Sequence, residues 1–503
     1  MKFISKDSGF SIPNLRVAAV LLFVLLNIAV FLLRAVSIGR YGALFASSGA
    51  EPLAIYPVWK AVHHLPAYGW PLAFPFSLAL YNYLFYYGYA FFLRLVGASG
   101  ADILPWGRLF TAGFAMMGAI AQWKLVQSHL KLRGACSALS LFFAVGLWYC
   151  ASMVSFWAVS IRPDMAAVAV VMAALWIVVR QPRFAFAYAG VLFYLAWSFK
   201  QSVILALAGV CIFLLLHKRW RDLALLAAVF AALVSATLLL GSPEYRYNIL
   251  VAPRLVREFS LMHAFSRGER ALIENAYWIL TPAVLIFAAG ARRLDNTVRL
   301  LITVLAMALV GGLAGMTKSG GADNYLLEAF VAGSTLLQIA IFTAPGRLTS
   351  LVVLLGCIQP AIQLAAEPAG PLYPHTSLTV GVATAAEYAD AVALRERLRP
   401  LKKPIFTTDE IFALPWYSTD NHAPALLVDP EFHDAMRGTY QNGGIEDMLR
   451  RGEIPTVMLR ADDFQYLNSL NSNYKKIGEA RHAEEVSSQA PWVIYGFDPP
   501  PSR

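Results

Sequence analysis

The sequence predicts a polytopic α-helical membrane protein with a small α/β unit at its C-terminal end. Three observations carry that reading. Hydrophobic residues make up 58% of the 503 residues and charged ones only 14%, with mean hydropathy +0.56, a balance foreign to soluble globular chains of this size. Long apolar runs recur, and most of the Lys and Arg behind the formal net charge of +10 sits in short connections between them. After about residue 366 the composition turns polar and densely charged.

The first apolar run, 17–38, follows Lys2, Lys6 and Arg16. It is too long for the apolar region of a signal peptide and lacks a clear cleavage site, so it reads as a first membrane helix with a cytoplasmic N-terminus. Further runs of roughly spanning length occupy 106–127, 135–157, 164–180, 184–199, 202–217, 222–240, 276–291, 299–316, 325–343 and 347–366. The stretch 76–97 is different. It holds Tyr81, Tyr83, Tyr86, Tyr87 and Tyr89 with Asn82 and Arg94, and such aromatic density suits the membrane–water interface.

Charge decides whether 76–97 spans. If it lies along the outer surface, the basic connections 124–133, 180–183, 217–221, 292–299 and 345–347 all fall inside, as the positive-inside rule requires. If it spans, every one of them is exported. The first arrangement gives roughly eleven spans and an outer C-terminus. One loop resists it. The 241–275 segment falls outside yet carries Arg246, Arg254, Arg257, Arg267 and Arg270, offset by Glu244, Glu258, Glu269 and Glu274. It reads either as a solvated amphipathic helix or as a basic surface for a lipid phosphate.

In the polar remainder, 377–382, 404–408, 425–428, 456–459 and 492–496 look like short strands, and 385–397 and 430–437 like helices. Strands alternating with helices suggest an α/β unit, so the expected division is 1–370 for the membrane domain and 371–503 for a periplasmic domain. The four cysteines, Cys136, Cys150, Cys211 and Cys357, all lie in apolar runs, which excludes a disulfide framework in the polar segment. Basic residues confined to short loops exclude nucleic acid as the partner.

Candidate chemistry clusters on the outer side. The first outer loop, 39–105, is long for a compact membrane protein and holds Glu51, Tyr56, Trp59, Lys60, His63, His64 and Tyr68, with Tyr81 and then Arg108 beyond. Glu51 is the sole carboxylate between Asp7 and Asp102, and reads as a solvated loop residue or as a general base for an acceptor hydroxyl. His63 and His64 are adjacent, so their side chains diverge on a helix and a shared metal is not expected.

In Arg162-Pro163-Asp164, the proline and aspartate explain themselves as a helix start. Arg162 does not, because it sits at the positive end of the same dipole, which points to an anionic partner. Lys200-Gln201 occupies a tight outer turn, where a lysine can simply snorkel. The stretch 318–328, KSGGADNYLLE, combines Lys318, two glycines, Asp323, Asn324 and Tyr325. It offers backbone N–H groups and a cap to a phosphate, but its spacing is not that of a P-loop. Ionisable groups at the edge of hydrocarbon cost roughly a few kcal/mol each unless paired, wetted or used.

The order of these features resembles the C-type (GT-C) superfamily of integral-membrane glycosyltransferases, in particular bacterial members akin to the aminoarabinose and protein O-mannosyl transferases. The resemblance covers most of 1–370 and rests on the acidic residue of the first outer loop, the Tyr-rich PFSLALYNYLFYYGYAFFLRLVG before Arg108, then RPD at 162–164, KQS at 200–202 and ADNYLLE at 322–328. It implies sugar transfer from a polyprenyl-phosphate donor, with inversion, at the outer face of a bacterial inner membrane. Glu51 would then be the base, and Arg162, Lys200 and Lys318 would hold the departing phosphate. Many members carry paired acidic residues in the first loop. Here there is only Glu51, so no metal or other cofactor is expected, and fixed cations can stabilise the phosphate.

Two other functions compete. A transporter or flippase for a lipid-linked saccharide would place charges at the bilayer midplane, with broken helices and repeats. The charges here lie at the outer edge, and no repeat is present. A polymerase or ligase of surface polysaccharide would put its key residues in a late outer loop, for which 241–275 is the candidate.

Overall fold

The computed structural model describes residues 14–41, 51–150, 157–255, 294–317, 323–343, 346–366, 385–408, 414–417, 438–461, 463–480 and 492–498, with a few isolated positions between them. Its membrane part is a helical bundle. The helices are α1 (Asn14–Tyr41), α2 (Glu51–Val62), α3 (Tyr83–Leu95), α4 (Ile103–Leu130), α5 (Gly134–Cys150), α6 (Pro163–Arg180), α7 (Ala185–Phe199), α8 (Leu205–Leu216), α9 (Trp220–Leu240), α10 (Asn296–Gly315), α11 (Leu327–Thr343), α12 (Gly346–Gly356) and α13 (Ile358–Ala366).

Five segments are long and apolar enough to cross a membrane: Gly100–Leu130, Pro163–Arg180, Trp220–Leu240, Asn296–Gly315 and Asn324–Thr343. Shorter apolar helices cover Val17–Leu33, Gly134–Tyr149, Ala185–Phe199, Leu205–Leu216 and Thr349–Ala365. These account for the expected runs except 276–291, which lies outside the described residues but for three positions. The run at 347–366 is two helices meeting at Cys357 rather than one.

The bundle has an inside and an outside. The apolar stretch of α11 is 94% buried and that of α9 only 6%, so α11 forms the centre and α9 meets lipid. Helix α4 packs on α5, α6 and α11, and α6 in turn packs on α7. Lipid tails are as apolar as leucine, so close approach and polar pairing must hold such helices together. Both are present. Gly118 of α4 lies directly beneath the Trp148 ring, and Gly209 of α8 meets Val304 so closely that an added Cβ would stand 2.6 Å from its Cα. Gln122, fully buried, donates to Gln338 (2.8 Å) and accepts from Trp148 (2.8 Å) and Ser334 (3.0 Å), while Gln338 donates to Ser140 (2.6 Å).

The Tyr-rich stretch forms α3, whose 13 residues are too short to span. Asn82 starts it by accepting from the Tyr83 N–H, and also donates to the Trp197 carbonyl (2.9 Å) and accepts from the Tyr245 hydroxyl (2.6 Å). The helix is therefore fixed to α7 and to the start of the 241–255 segment. That segment contains a π-helical turn, Tyr247–Val251, whose Asn248 donates to Gly69 and accepts from Ala79.

The polar C-terminal part contains α14 (Ala385–Leu398), α15 (Gly444–Arg451) and a four-stranded sheet of order β1-β2-β4-β3. Strands β1 (Ile405–Thr407) and β2 (Thr456–Leu459) are parallel, and β4 (Trp492–Phe497) runs antiparallel to both β2 and β3 (Tyr474–Ala480). The expected strand at 425–428 is reduced to a bridge between Leu426 and Phe406, and that at 377–382 lies outside the described residues. Strand β3 is absent from the sequence-based expectation. It carries Lys475, Lys476 and Glu479 at the sheet edge, where charge hides the apolar alternation that betrays a strand and also blocks pairing with another chain.

Candidate active site at the membrane edge

Pro163 opens α6 at its first turn, leaving Arg162 extended at the N-cap (φ −144°, ψ 155°). Asp164 then lies in the first turn, facing the start of the helix. Its carboxylate accepts from Arg162 Nε (3.1 Å), from Lys200 Nζ in a short ion pair, and from Asn324 Nδ2 (3.1 Å). Three chain segments thus meet on one carboxylate that is only 1% exposed. The Arg162 guanidinium lies over the rings of Trp157 (4.7 Å) and Tyr81 (5.6 Å), and Lys200 Nζ stands 5.6 Å from the Tyr325 ring. Aromatic faces of this kind stabilise cations withdrawn from water.

Glu51 heads α2 and is completely buried. Its carboxylate accepts from Arg108 Nε (3.2 Å) and Nη2 (2.7 Å) and from the backbone N–H of Ile161 (2.7 Å). That last bond joins Glu51 to the residue before Arg162. Tyr89, from α3, shares a hydrogen bond with Thr111 (2.8 Å) and reaches the Arg162 carbonyl (3.4 Å). A continuous polar network therefore runs from Glu51 and Arg108 through Arg162 and Asp164 to Lys200 and Asn324.

Between α2 and α3, Gln201 Nε2 donates to the Leu80 carbonyl (2.7 Å), tying the turn after α7 to the segment before α3. Lys60, in the last turn of α2, donates to Ser77 Oγ (3.2 Å) and lies 5.3 Å from the Tyr56 ring. His63 turns back on its own helix, where Nδ1–H donates to the Trp59 carbonyl (2.9 Å) and the imidazole packs on the indole. It does not join the network. Asp323 opens the short 3-10 turn Asp323–Leu326, and Lys318 lies outside the described residues.

The structure adds a carboxylate to which sequence reasoning gave no role. Glu328, buried in α11, accepts from the Leu205 (3.2 Å) and Ala206 (2.7 Å) N–H groups and so caps α8 from a neighbouring helix. It lines a void with Asp164, Lys200, Ser202, Asn324 and Tyr325. Ser77 and Trp157 were likewise missed. A serine and a tryptophan in apolar surroundings carry no signal until the fold places them against a cation. Among the described residues, no group of three or more metal-ligating side chains comes together.

Two solved structures share this fold. One is ArnT from Cupriavidus metallidurans bound to undecaprenyl phosphate, with TM-score 0.59 and 13% identity over 95% of this chain and 97% of that one. The other is the same protein in the apo state, with TM-score 0.62 and 12% identity over the same shares. Coverage that complete gives the chain an ArnT-like fold, while identity that low leaves the chemistry to this chain's own residues. No family model matches the chain, and no curated protein matches it.

Proposed function

We propose that this chain transfers a sugar from a polyprenyl-phosphate donor to an acceptor at the outer face of a bacterial inner membrane, with inversion at the anomeric carbon. The observation that carries the reading is the buried network at the ends of α2, α4, α6 and α7, in a fold shared with a protein solved with undecaprenyl phosphate. A structural scaffold has no use for so many charges held at a membrane edge at the cost of their hydration. The acceptor oxygen attacks C1 of the sugar, the bond from C1 to the phosphate oxygen breaks, and polyprenyl phosphate leaves with both electrons of that bond. Fixed cations stabilise the charge that develops on it, so no metal is required.

Glu51 is the proposed base. Arg108 Nε and Nη2 and the Ile161 N–H hold its carboxylate, and the 3.2 Å contact from Arg108 Nε is the longest of the three bonds described here. An acceptor hydroxyl that takes this place at Oε1 can pass its proton there.

The test separates base from anchor. Glu51→Gln alone takes from the buried Arg108 the carboxylate that accepts from its Nε and Nη2, which costs roughly 3–5 kcal/mol and confounds activity with folding. The pair Glu51→Gln with Arg108→Gln removes both charges. It is expected to restore the thermal unfolding midpoint and still consume no polyprenyl-phosphate sugar, with or without EDTA. Recovery of turnover in the double variant would make Glu51 an anchor for Arg108 instead. A wild-type protein that consumes none of a donor panel in the presence of candidate acceptors would remove the transferase reading itself.

A further inference from the structure

The proposed transfer needs a cation to meet the lipid phosphate, and each cation of the network already touches a carboxylate. Arg108 is paired with Glu51, while Arg162 and Lys200 share Asp164. Lys60 differs. Among the described residues its ammonium has the Ser77 hydroxyl and the Tyr56 ring for company, and no carboxylate. One hydroxyl and one ring leave an ammonium's three donors under-used. Burial pushes the Lys60 ammonium down to about 8, with no neighbouring charge to offset the loss of water. Yet Lys60 is the one residue of α2 that is not fully buried.

The hydroxyl beside it is held in place. Phe76 is packed in the core of the C-terminal sheet, Ala79 N–H donates to Asn248 Oδ1 (2.9 Å), and the Leu80 carbonyl accepts from Gln201. Ser77 therefore presents its Oγ from a segment fixed on both sides. The same segment ends at Tyr81, which lies over Arg162, so Lys60 is continuous with the network without being neutralised by it.

We propose that Lys60, Ser77 and the face of Tyr56 form a seat for a phosphate ester, and that this seat, rather than Arg162 or Lys200, supplies the cation that the lipid phosphate meets. The assignment rests on the transferase reading and makes it more specific. The chemistry fits the phosphate of the departing polyprenyl phosphate and equally that of a phosphorylated acceptor lipid.

Full-length protein in phosphatidylcholine nanodiscs would be titrated with undecaprenyl phosphate, with phosphatidic acid and with uncharged undecaprenol. Native mass spectrometry or tryptophan fluorescence reports binding, since Trp59 stacks on Tyr56. At pH 7, Lys60→Gln is expected to weaken undecaprenyl phosphate binding by about 10–100-fold, the worth of a charge-assisted hydrogen bond, and Lys60→Arg to restore most of it. The pH dependence has a definite sign. A phosphate monoester is fully ionised above about pH 7, so any further change belongs to the lysine. Affinity should fall about tenfold per pH unit above roughly pH 8 in the wild type, as the free lysine loses its proton, and stay flat in Lys60→Gln.

Stronger binding of undecaprenyl phosphate than of phosphatidic acid assigns the seat to the donor side, and the reverse order to the acceptor side. Wild type and Lys60→Gln binding equally, with the same pH profile, would overturn the seat and leave the transferase reading standing. Failure of wild type to bind any polyprenyl phosphate would remove both.

Discussion

Asp164 is the residue on which the network turns, because both Arg162 and Lys200 form their ion pairs with it. Both cations are 7% exposed, so neither can recover its hydration in place. Asp164→Asn is nearly isosteric but removes the carboxylate that both cations contact directly. It should destabilise the protein by roughly 3–5 kcal/mol, the usual cost of a buried charge left unpaired. Adding Lys200→Met should return part of that loss, and the unfolding midpoints of the two variants in one detergent check both expectations. A midpoint unchanged in Asp164→Asn would mean that water or an anion already serves these cations.

The same residues measure what the sequence reveals. Glu51, Arg108, Arg162, Asp164, Lys200 and Asn324 are conspicuous because charge and amide groups in apolar runs are costly, and the structure brings them together. What the sequence conceals is the pairing. Arg162 reads as a cation awaiting an anion, yet its partner is two residues away, and Glu51 finds its partner on another helix. Partner choice depends on tertiary placement, and a string of residues does not carry it. That is why Lys60, one of several candidates that the sequence offers, stands apart from Arg108, Arg162 and Lys200 only once their partners are known.

Among the elements, the helices were legible and their contacts were not. Apolar runs predict α4, α6, α9, α10 and α11 because hydrocarbon thickness sets their length. The tyrosine-rich stretch was readable as an element apart from the spanning runs, and its helix α3 has only 13 residues. The chain of Gln122, Gln338, Ser140 and Trp148 was not singled out, since isolated glutamines in apolar helices are ambiguous until they meet. Once met, they lock α4, α5 and α11 in one register. Gln338→Leu should strand Gln122 and Ser140 together, costing about 1–3 kcal/mol for the unsatisfied groups. Gln122→Leu with Gln338→Leu removes both amides and should cost less than the sum of the two single changes, which a double-mutant cycle on thermal stability measures. Strict additivity would show that the two amides do not cooperate across the bundle.

At the scale of the whole molecule, the segment between α2 and α3 and the C-terminal sheet are not separate bodies. Leu72 and Phe76 belong to one apolar cluster with Phe406, Met436 and Tyr440, and the Gln441 N–H donates to the Leu72 carbonyl (2.9 Å). The Phe76 and Tyr440 rings meet edge to face at 5.1 Å. The C-terminal part therefore grips the loop immediately beside Ser77, which gives a polar appendage a reason to fold against the helical bundle. Phe76→Ala should remove roughly 3–5 kcal/mol of this packing, concentrated at the contact and not spread through the bundle. Limited proteolysis is then expected to release the C-terminal segment faster while the membrane part resists as before. If the grip positions Ser77, the variant should also bind undecaprenyl phosphate more weakly, and Tyr440→Ala, more than 350 residues distant in sequence, should do the same. Weaker binding in Phe76→Ala but not in Tyr440→Ala would confine the effect to the loop. Normal binding in both would show that the sheet shields the site without shaping it.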